Sequence, residues 1–260
     1  MRGKAYILFI THNRLGFSRI TLPHLLESGG YHNYTVSVVD NASTDGTREW
    51  LAGLTHPRLR GITFNDENLP LREVTNRFWS ESADAEFLGK VDNDTIIPVG
   101  FIGQAVKAIL NPIKMGAVGA MHFEPTDAMS VRTSAFAQNL RRLPNGARIL
   151  LQRHLGGCCY LIRSSVVSRH GYMQDAGYMK GGWTEYQWKL SHNGYPAAYL
   201  YPFMFAKHLD DPGFRITAAQ LGEKIAPEDP EDVFRAKERK SVADLLSDAS
   251  VSGLLPRFRG

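Results

Sequence analysis

Residues 86–98 read EFLGKVDNDTIIP, an apolar segment that ends in two aspartates one residue apart. Residues 87–91 predict a short buried strand, and Pro98 blocks its continuation and suits the first turn of a helix. Asp92 and Asp94 would then lie at the carboxyl end of a central strand, where two carboxylates are costly unless a cation neutralises them. A divalent metal carrying a phosphorylated ligand would do so, because Mg²⁺ and Mn²⁺ prefer oxygen ligands and share them with substrate phosphates. Since Asp-Asn-Asp is also ordinary turn composition, a turn without metal is the alternative.

Three more segments rich in β-forming residues precede this stretch, and a helical pattern follows each of them. The predicted strands cover residues 4–11, 34–39 and 59–65, and the predicted helices cover residues 17–27, 47–54 and 71–83. Ser18 is the predicted N-cap of the first helix. This alternation predicts right-handed crossovers in a mainly parallel α/β sheet.

Polar side chains gather where these strands end. Ligands of such sheets bind outside the carboxyl ends of the strands. The polar residues found there are Thr11, Asn13, Arg14, Asp40, Asn68, Arg72, Asp92 and Asp94. Because successive strand ends carry them, they predict one continuous binding site rather than unrelated polar loops.

The second half is less regular and contains no linker long enough to separate independent domains. Its pattern predicts helices at residues 99–110, 164–170 and 181–193, a strand at 117–123, and an extended aromatic segment at 199–208. We expect a single domain over residues 1–225, with halves of about 1–98 and 99–225. Residues 226–260 would form a charged C-terminal tail that is partly helical.

Composition and charge narrow the class of protein. The 260 residues carry a formal net charge of +4 with both signs interspersed, which does not indicate nucleic-acid binding. Cys158 and Cys159 are adjacent and would point to opposite faces of a strand, so they suit neither a disulfide nor a zinc site. The N-terminal apolar run is too short for a signal peptide, and no segment could span a bilayer. We expect a cytoplasmic protein, with the basic tail favouring peripheral membrane contact.

Five segments carry a family resemblance. They are THNR at residues 11–14, VDNASTDGT at 39–47, NDEN at 65–68 followed by Asn76, VDND at 91–94, and GGCCYLIRSSVV at 156–167 followed by GYM. In this order, over roughly residues 4–210, they resemble the motifs of inverting glycosyltransferases of the family 2 type, which have the GT-A fold and use nucleotide-sugar donors. The resemblance implies a Rossmann-like α/β fold, a mainly parallel sheet flanked by helices, with a nucleotide-sugar half and a smaller acceptor-side half.

The resemblance implies that the strand ends bind the donor. The residues implied to bind the nucleotide sugar are Thr11, Asn13, Arg14, Asp40, Asn68, Arg72 and Asp92. Asp40 would contact the base with Arg72 beside it, and Asp92 would bond the ribose or the donor sugar. Leu69-Pro70 stands where the family often has a glycine, which would reshape the base pocket.

The same resemblance implies a metal site. Asp94 would ligate Mn²⁺ or Mg²⁺, with Asp92 next to it. His208, in AKHLDD, matches a histidine that often completes the metal or phosphate site in such enzymes. An ordinary surface histidine after a strand is the alternative for His208.

The acceptor side departs from the family pattern. The family usually has a Glu-Asp pair before the acceptor-side helix, and its aspartate is the catalytic base; here the matching stretch is Trp183-Thr184-Glu185, with one carboxylate. Glu185 is therefore the first candidate for the base that inversion needs, and Asp175 is the second. An ordinary glutamate in a first helical turn is the alternative for Glu185. The residues implied to meet the acceptor are His122, Gly157 and Trp183.

These expectations describe a metal-dependent glycosyltransferase of the inverting, hexosyltransferase type. It would move a sugar from a nucleotide sugar to a glycan or lipid-linked glycan in cell-surface polysaccharide or glycoconjugate synthesis. UDP is the family's commonest nucleotide, with GDP and dTDP as alternatives, and the sequence favours no oligomeric state. One competing function is a sugar-1-phosphate nucleotidyltransferase, although THNRLGFSR lacks the Gly-rich loop such enzymes carry. The other is a nucleotide-sugar-binding protein that has lost catalysis.

Overall fold

Four strands from the first half form the parallel centre of one large sheet. The computed structural model of the protein describes residues 3–121, 138–175, 182–210 and 215–223. The strands are β1 (Ala5–Thr11), β2 (Tyr34–Asn41), β3 (Leu59–Asn65), β4 (Phe87–Asp92), β5 (Thr95–Ile96), β6 (Ala117–Gly119), β7 (Leu140–Arg142), β8 (Arg148–Gln152), β9 (Cys159–Arg163), β10 (Ala197–Tyr201) and β11 (Lys207–His208). The helices are α1 (Leu15–Ser28), α2 (Thr47–Ala52), α3 (Leu71–Glu81), α4 (Phe101–Ile109), α5 (Ser164–His170), α6 (Trp183–His192) and α7 (Arg215–Gln220).

The large sheet has the strand order β3-β2-β1-β4-β9-β6-β10-β8-β7, and a small separate sheet joins β11 to β5. β1 pairs in parallel with β2 and β4, and β2 pairs in parallel with β3. β9 runs antiparallel between β4 and β6, and β8 runs antiparallel to β10 and β7. Among the described strands of this sheet all but β8 and β9 point the same way, which confirms the mainly parallel α/β arrangement.

Alternating side chains of the central strands build an apolar layer on each face of the sheet. In β1, Ile7 and Phe9 belong to one layer, and Leu8 and Ile10 belong to the other, because successive strand residues point to opposite faces. The first layer packs against α1 and α4, and the second packs against α3 and α6. The burial of β1 on both faces holds the carboxyl ends of β1, β2 and β4 at one rigid edge.

The strands and helices predicted for the first half are all present, with ends that differ by a few residues. The predicted N-cap is wrong, because α1 already begins at Leu15 and Ser18 is buried inside it, with its Oγ 2.9 Å from Thr11 Oγ1. The extended segment predicted at 199–208 is divided, since β10 ends at Tyr201 and β11 begins at Lys207. The end of the strand predicted at 117–123 and the tail at 226–260 lie outside the described residues. Within the described ranges, no helix is both long and apolar enough to cross a bilayer.

The end of α1 approaches the start of α4 so closely that only glycine fits at Gly30. Its φ is +66°, and a Cβ there would lie 2.4 Å from the Cα of Gly100. Replacing Gly30 by alanine is expected to lower the free energy of unfolding by about 3 kcal/mol, from left-handed backbone strain and a backbone clash. Gly146→Ala is the matched control: its φ is +81° but no atom lies within 4 Å of the added Cβ, so it should cost only about 1 kcal/mol. Equal losses in urea denaturation would contradict the close packing.

Candidate active site

The acidic turn after β4 and the segment around His208 meet through the small β5–β11 sheet. β5 follows Asp94 directly, and the pairing places His208 opposite Thr95. This brings His208 Nε2 to 3.5 Å from Asp94 Oδ1. Two side chains that are 114 residues apart in the sequence, at positions 94 and 208, therefore lie side by side as the resemblance implies.

Asp94 is the most deeply buried carboxylate of this turn, at 8% exposed. Burial raises the pKa of the Asp94 carboxyl above its ordinary value. The nearby His208 and Arg14 oppose this rise in pKa, whereas the Asp92 and Asp210 carboxylates add to it. A buried carboxylate with other carboxylates beside it favours a cation at this position.

Arg14 supplies positive charge to Asp94 of the turn and to Asp210. Its Nη1 donates to Asp94 Oδ2 at 3.0 Å, and its Nη2 donates to Asp210 Oδ2 at 3.1 Å. Asn13 and Arg14 both have left-handed backbone, with φ of 56° and 62°. This turn at the end of β1 aims the guanidinium between the two carboxylates, which places Arg14 against the acidic turn.

The side chains around Arg14 fit a divalent metal by their chemistry. Carboxylate oxygens with one imidazole form a donor set that suits Mn²⁺, and Asp94, Asp210 and His208 supply it. Asp210 Oδ1 is buried and has no hydrogen-bond partner among the described residues. As arranged, no three acidic, histidine or cysteine side chains of the described ranges converge on a common metal position, and the Arg14 guanidinium bonds to both Asp94 and Asp210.

A cavity of about 290 Å³ opens next to the acidic turn. Its walls include Asp92, His208, Gly157 and Trp183. The Trp183 indole stacks on the Tyr160 ring with centroids 3.8 Å apart and donates from Nε1 to the Leu155 carbonyl at 3.2 Å. Residues that the resemblance assigns to donor binding, metal binding and acceptor binding thus line one cavity. The stacked Tyr160 and Trp183 rings form part of its wall.

Asp40 and Asn68 lie at the carboxyl ends of β2 and β3, but their environments differ. Asp40 is fully buried, with Oδ2 accepting from the Ser43 amide at 3.2 Å and lying 3.6 Å from Arg48 Nε. Its Oδ1 has no partner in the part of the chain that the structure describes. Asn68 is exposed, and its Oδ1 accepts from Asn41 Nδ2 at 2.6 Å. Asp40 therefore retains an unused acceptor atom, whereas Asn68 anchors a loop.

Thr11 and Asn13 support the turn more than they line the cavity. Thr11 is 1% exposed, and its hydroxyl donates to the Asn13 carbonyl and accepts from Asn93 Nδ2, both at 3.0 Å. Asn13 Oδ1 accepts from the Thr44 amide at 2.8 Å. These bonds tie the end of β1 to the loop after β2 and to the acidic turn, so both residues position Arg14.

Arg72 and Asp175 form an ion pair between the start of α3 and the segment after α5. Arg72 Nη1 lies 2.9 Å from Asp175 Oδ1, and the Asp175 side chain is 76% exposed. Arg72 itself is well buried in its side chain, at 14% exposed. Asp175 is therefore a surface carboxylate that is paired with the guanidinium of Arg72.

Glu185 lies in the first turn of α6. Both of its carboxylate oxygens are buried, and neither has a hydrogen-bond partner within the described residues. It does not line the 290 Å³ cavity, although Trp183 on the same turn does. His122 lies outside the described residues.

Three residues of this region escaped the sequence interpretation. Lys90 is buried, lines the cavity and pairs with Asp92; a lysine inside an apolar strand was the available signal. Asn41 holds the loop after β3, because its Oδ1 accepts from Asn65 Nδ2 at 2.7 Å and from the Leu69 amide at 3.1 Å. Asp210 pairs with Arg14, and only its proximity to His208 in AKHLDD pointed to it.

Solved structures share this architecture. The mannosyltransferase PcManGT from Pyrobaculum calidifontis, in complex with GDP-Man and Mn²⁺, has a TM-score of 0.63 and 20% identity, covering 87% of this chain and 66% of that one. S. aureus TarS in complex with UDP-GlcNAc has a TM-score of 0.57 and 14% identity, covering 84% and 65%. GalNAc-T7 with UDP, GalNAc and Mn²⁺ has a TM-score of 0.54 and 12% identity, covering 79% and 43%. The chain thus spans less than two thirds of each of them, and the likeness establishes the GT-A fold.

The sequence itself establishes the family. No curated protein sequence matches the chain significantly. The model of Glycosyl transferase family 2 matches residues 6–171, which is more than half of the 260 residues. The protein therefore belongs to glycosyltransferase family 2 and has the GT-A fold.

Proposed function

We propose that the protein transfers one hexose-type sugar from a UDP-sugar to a glycan or lipid-linked glycan, with inversion at the anomeric carbon. The observation that carries this proposal is the single cavity that Asp92, His208, Gly157 and Trp183 share beside the buried Asp94. The resemblance gives these residues to donor, metal and acceptor, and one cavity is what a direct transfer between two bound substrates requires. Cell-surface polysaccharide or glycoconjugate synthesis in the cytoplasm, next to a membrane, is the proposed setting.

Asp94, His208 and Asp210 would hold Mn²⁺ or Mg²⁺, with Asp92 at the edge of the same site. The unpartnered Asp210 Oδ1 and the raised pKa of Asp94 support this assignment. Two of the similar solved structures contain the metal, PcManGT with GDP-Man and Mn²⁺ and GalNAc-T7 with UDP, GalNAc and Mn²⁺, which supports it further. When bound, a divalent cation neutralises the diphosphate and acts as a Lewis acid on the leaving group.

The chain's own residues would orient the donor and take up the proton. Asp40, through its free Oδ1, would accept from the base with Arg72 nearby, and Arg14 would turn from the carboxylates to the diphosphate. Asn13 and Thr11 hold Arg14 in place, and Asn68 fixes the loop beside the base. Phosphate groups are suitable partners for a guanidinium because its planar fork donates two hydrogen bonds to them.

Glu185 is the proposed general base. Its carboxylate would accept the proton of the acceptor hydroxyl as that oxygen bonds to the anomeric carbon and the bond from this carbon to the diphosphate oxygen breaks. Both oxygens are buried without partners in the described residues, and the Glu185 side chain would turn toward the cavity to come within hydrogen-bond reach of the substrate hydroxyl. Asp175 serves less well because it is exposed and paired with Arg72. Trp183, Gly157 and His122 are proposed to meet the acceptor.

Donor turnover tests this function directly. The purified protein would be incubated with UDP-glucose, UDP-galactose, UDP-GlcNAc or GDP-mannose, with and without Mn²⁺, and release of the nucleoside diphosphate followed by ³¹P NMR. The proposal expects Mn²⁺-dependent release from one donor, to water or to an added glycan, and ¹H coupling constants that report inversion. Because Glu185 lies off the cavity wall, the competing function is a nucleotide-sugar-binding protein. Binding of a donor without any release would favour that alternative.

Arg14 pairs with two of the carboxylates that would hold the metal, so it would compete with the metal for them. Replacing Arg14 by glutamine is expected to tighten Mn²⁺ binding to the nucleotide-free protein by about 10-fold, because a unit positive charge leaves the site. The same change should weaken binding of Mn²⁺-UDP, because a phosphate contact is lost. Titration of free Mn²⁺ by electron paramagnetic resonance measures both effects. Arg60→Gln is the control, since Arg60 lies over the Tyr6 ring away from this site. Unchanged Mn²⁺ affinity in Arg14→Gln would contradict the competition.

A further inference from the structure

Lys90 is a buried cation in the wall of the cavity. It is 6% exposed and lies on β4, two residues before Asp92. Because side chains two apart on a strand share a face, Lys90 and Asp92 point to the same side of the sheet. The Lys90 ammonium donates to Asp92 Oδ1 and, at 3.1 Å, to the Gly157 carbonyl. It therefore links the acidic motif to the acceptor-side segment.

The hydrogen-bonding capacity of this ammonium is not used up. A lysine ammonium carries three N–H donors, and the described residues accept two of them, at Asp92 and Gly157. Lys90 also lines the 290 Å³ cavity together with Tyr160 and Trp183. The third N–H is thus available to a molecule in the cavity, next to the Tyr160–Trp183 stack.

Burying the Lys90 ammonium costs free energy, so its position in the cavity wall indicates a function. Lysine is almost never buried without a partner, because its charge loses hydration. The contrast within this chain is Lys4, which is mostly exposed and pairs with Asp84 at 3.0 Å on the surface. An ion pair needed only for stability could stand at the surface in the same way, whereas Lys90 and Asp92 together present a donor and an acceptor to the cavity.

We propose that Lys90 is a sugar-binding residue that sets donor specificity. Its third N–H donates to a hydroxyl oxygen of the transferred sugar, while the ammonium holds Asp92 so that this carboxylate accepts from a neighbouring hydroxyl of the same sugar. Lys90 and Asp92 would thus bind two adjacent hydroxyl groups of the sugar, whereas the residues at the other strand ends would bind the nucleotide. This inference rests on the proposed function, since it takes a nucleotide sugar to be the ligand.

Paired binding measurements separate the sugar from the nucleotide. Calorimetry with Mn²⁺ would compare UDP with UDP-glucose, UDP-galactose and UDP-GlcNAc, and GDP with GDP-mannose, in wild type and Lys90→Met. Lys90→Met is expected to bind the free nucleotide within about twofold of wild type. It should reduce the affinity for the best nucleotide sugar by about 10-fold or more, since a hydrogen bond from a charged group is lost.

Two further variants serve as controls for Lys90→Met. Lys4→Met removes a surface lysine and should leave every affinity unchanged. Lys90→Gln keeps a hydrogen-bond donor, so it should retain part of the sugar preference, and it replaces Lys90→Met if that variant does not fold. An equal loss for nucleotide and nucleotide sugar, or no loss at all, would overturn the role of Lys90. Absence of any nucleotide binding by the wild-type protein would overturn the proposed function, and with it this inference.

Discussion

Replacement of Asp94 by alanine is expected to reduce kcat/KM for sugar transfer by about 10³-fold, equivalent to about 4 kcal/mol of transition-state stabilisation. Asp94 is the carboxylate that Arg14 and His208 both approach. Its loss removes the central ligand of the proposed metal site, and the charge of the leaving diphosphate is then left without its counter-ion. Initial rates at several Mn²⁺ concentrations measure the effect.

The fold should survive this substitution. Arg14 keeps its bond to Asp210 when Asp94 is absent, and removing a buried carboxylate with a raised pKa takes away a desolvated group. The control is Asp84→Ala, which removes an exposed carboxylate bonded to Lys4 and Tyr6 far from the site. Asp94→Ala with wild-type rates and wild-type Mn²⁺ dependence would show that the metal lies elsewhere or is not used.

Replacement of Glu185 by glutamine is expected to lower kcat by roughly 10²- to 10⁴-fold, which is the usual contribution of a general base. Binding of Mn²⁺-UDP should remain within about twofold of wild type, because Glu185 takes no part in the nucleotide site. The neutral amide should also raise the melting temperature, because an unpaired buried carboxylate is replaced by a group that is cheaper to bury. Loss of activity with a gain in stability is a pattern of catalytic groups.

Asp175→Asn is the matched comparison for Glu185→Gln. Asp175 is exposed and bound to Arg72, so its amide variant should change kcat by less than about threefold. Single-turnover rates and thermal melts of both variants decide between the two carboxylates. A large loss in Asp175→Asn with little loss in Glu185→Gln would reverse the assignment of the base.

The sequence predicts the first half of the fold well because its signals are local. Apolar runs such as β1 are buried on both faces, and their polar ends come together once the strands lie parallel. The proximity of Asp94 and His208 came only from the family resemblance. The structural reason is the β5–β11 pairing, which joins distant segments and leaves no periodic signal.

Other features depended on contacts that no local pattern carries. Ser18 is a typical N-cap residue, yet the left-handed turn at Arg14 begins α1 one turn earlier and buries Ser18. Lys90 stands in the very stretch that indicates the acidic motif, but its partner Gly157 lies in the loop before β9, a strand of the second half that pairs with β4. The family's acceptor-side motif identifies Glu185 in the sequence, whereas the burial of both its carboxylate oxygens depends on tertiary packing.

The central claim is one metal-dependent nucleotide site at the carboxyl edge of the sheet. A thermal-shift titration with UDP, GDP and dTDP, each with and without Mn²⁺, tests it most directly, because a ligand that binds only the folded state raises its apparent stability. We expect one nucleotide to raise the melting temperature only when Mn²⁺ is present, and Asp94→Ala to abolish that rise. A rise that is equal without Mn²⁺ or is retained in Asp94→Ala, or no rise with any nucleotide, would contradict the claim.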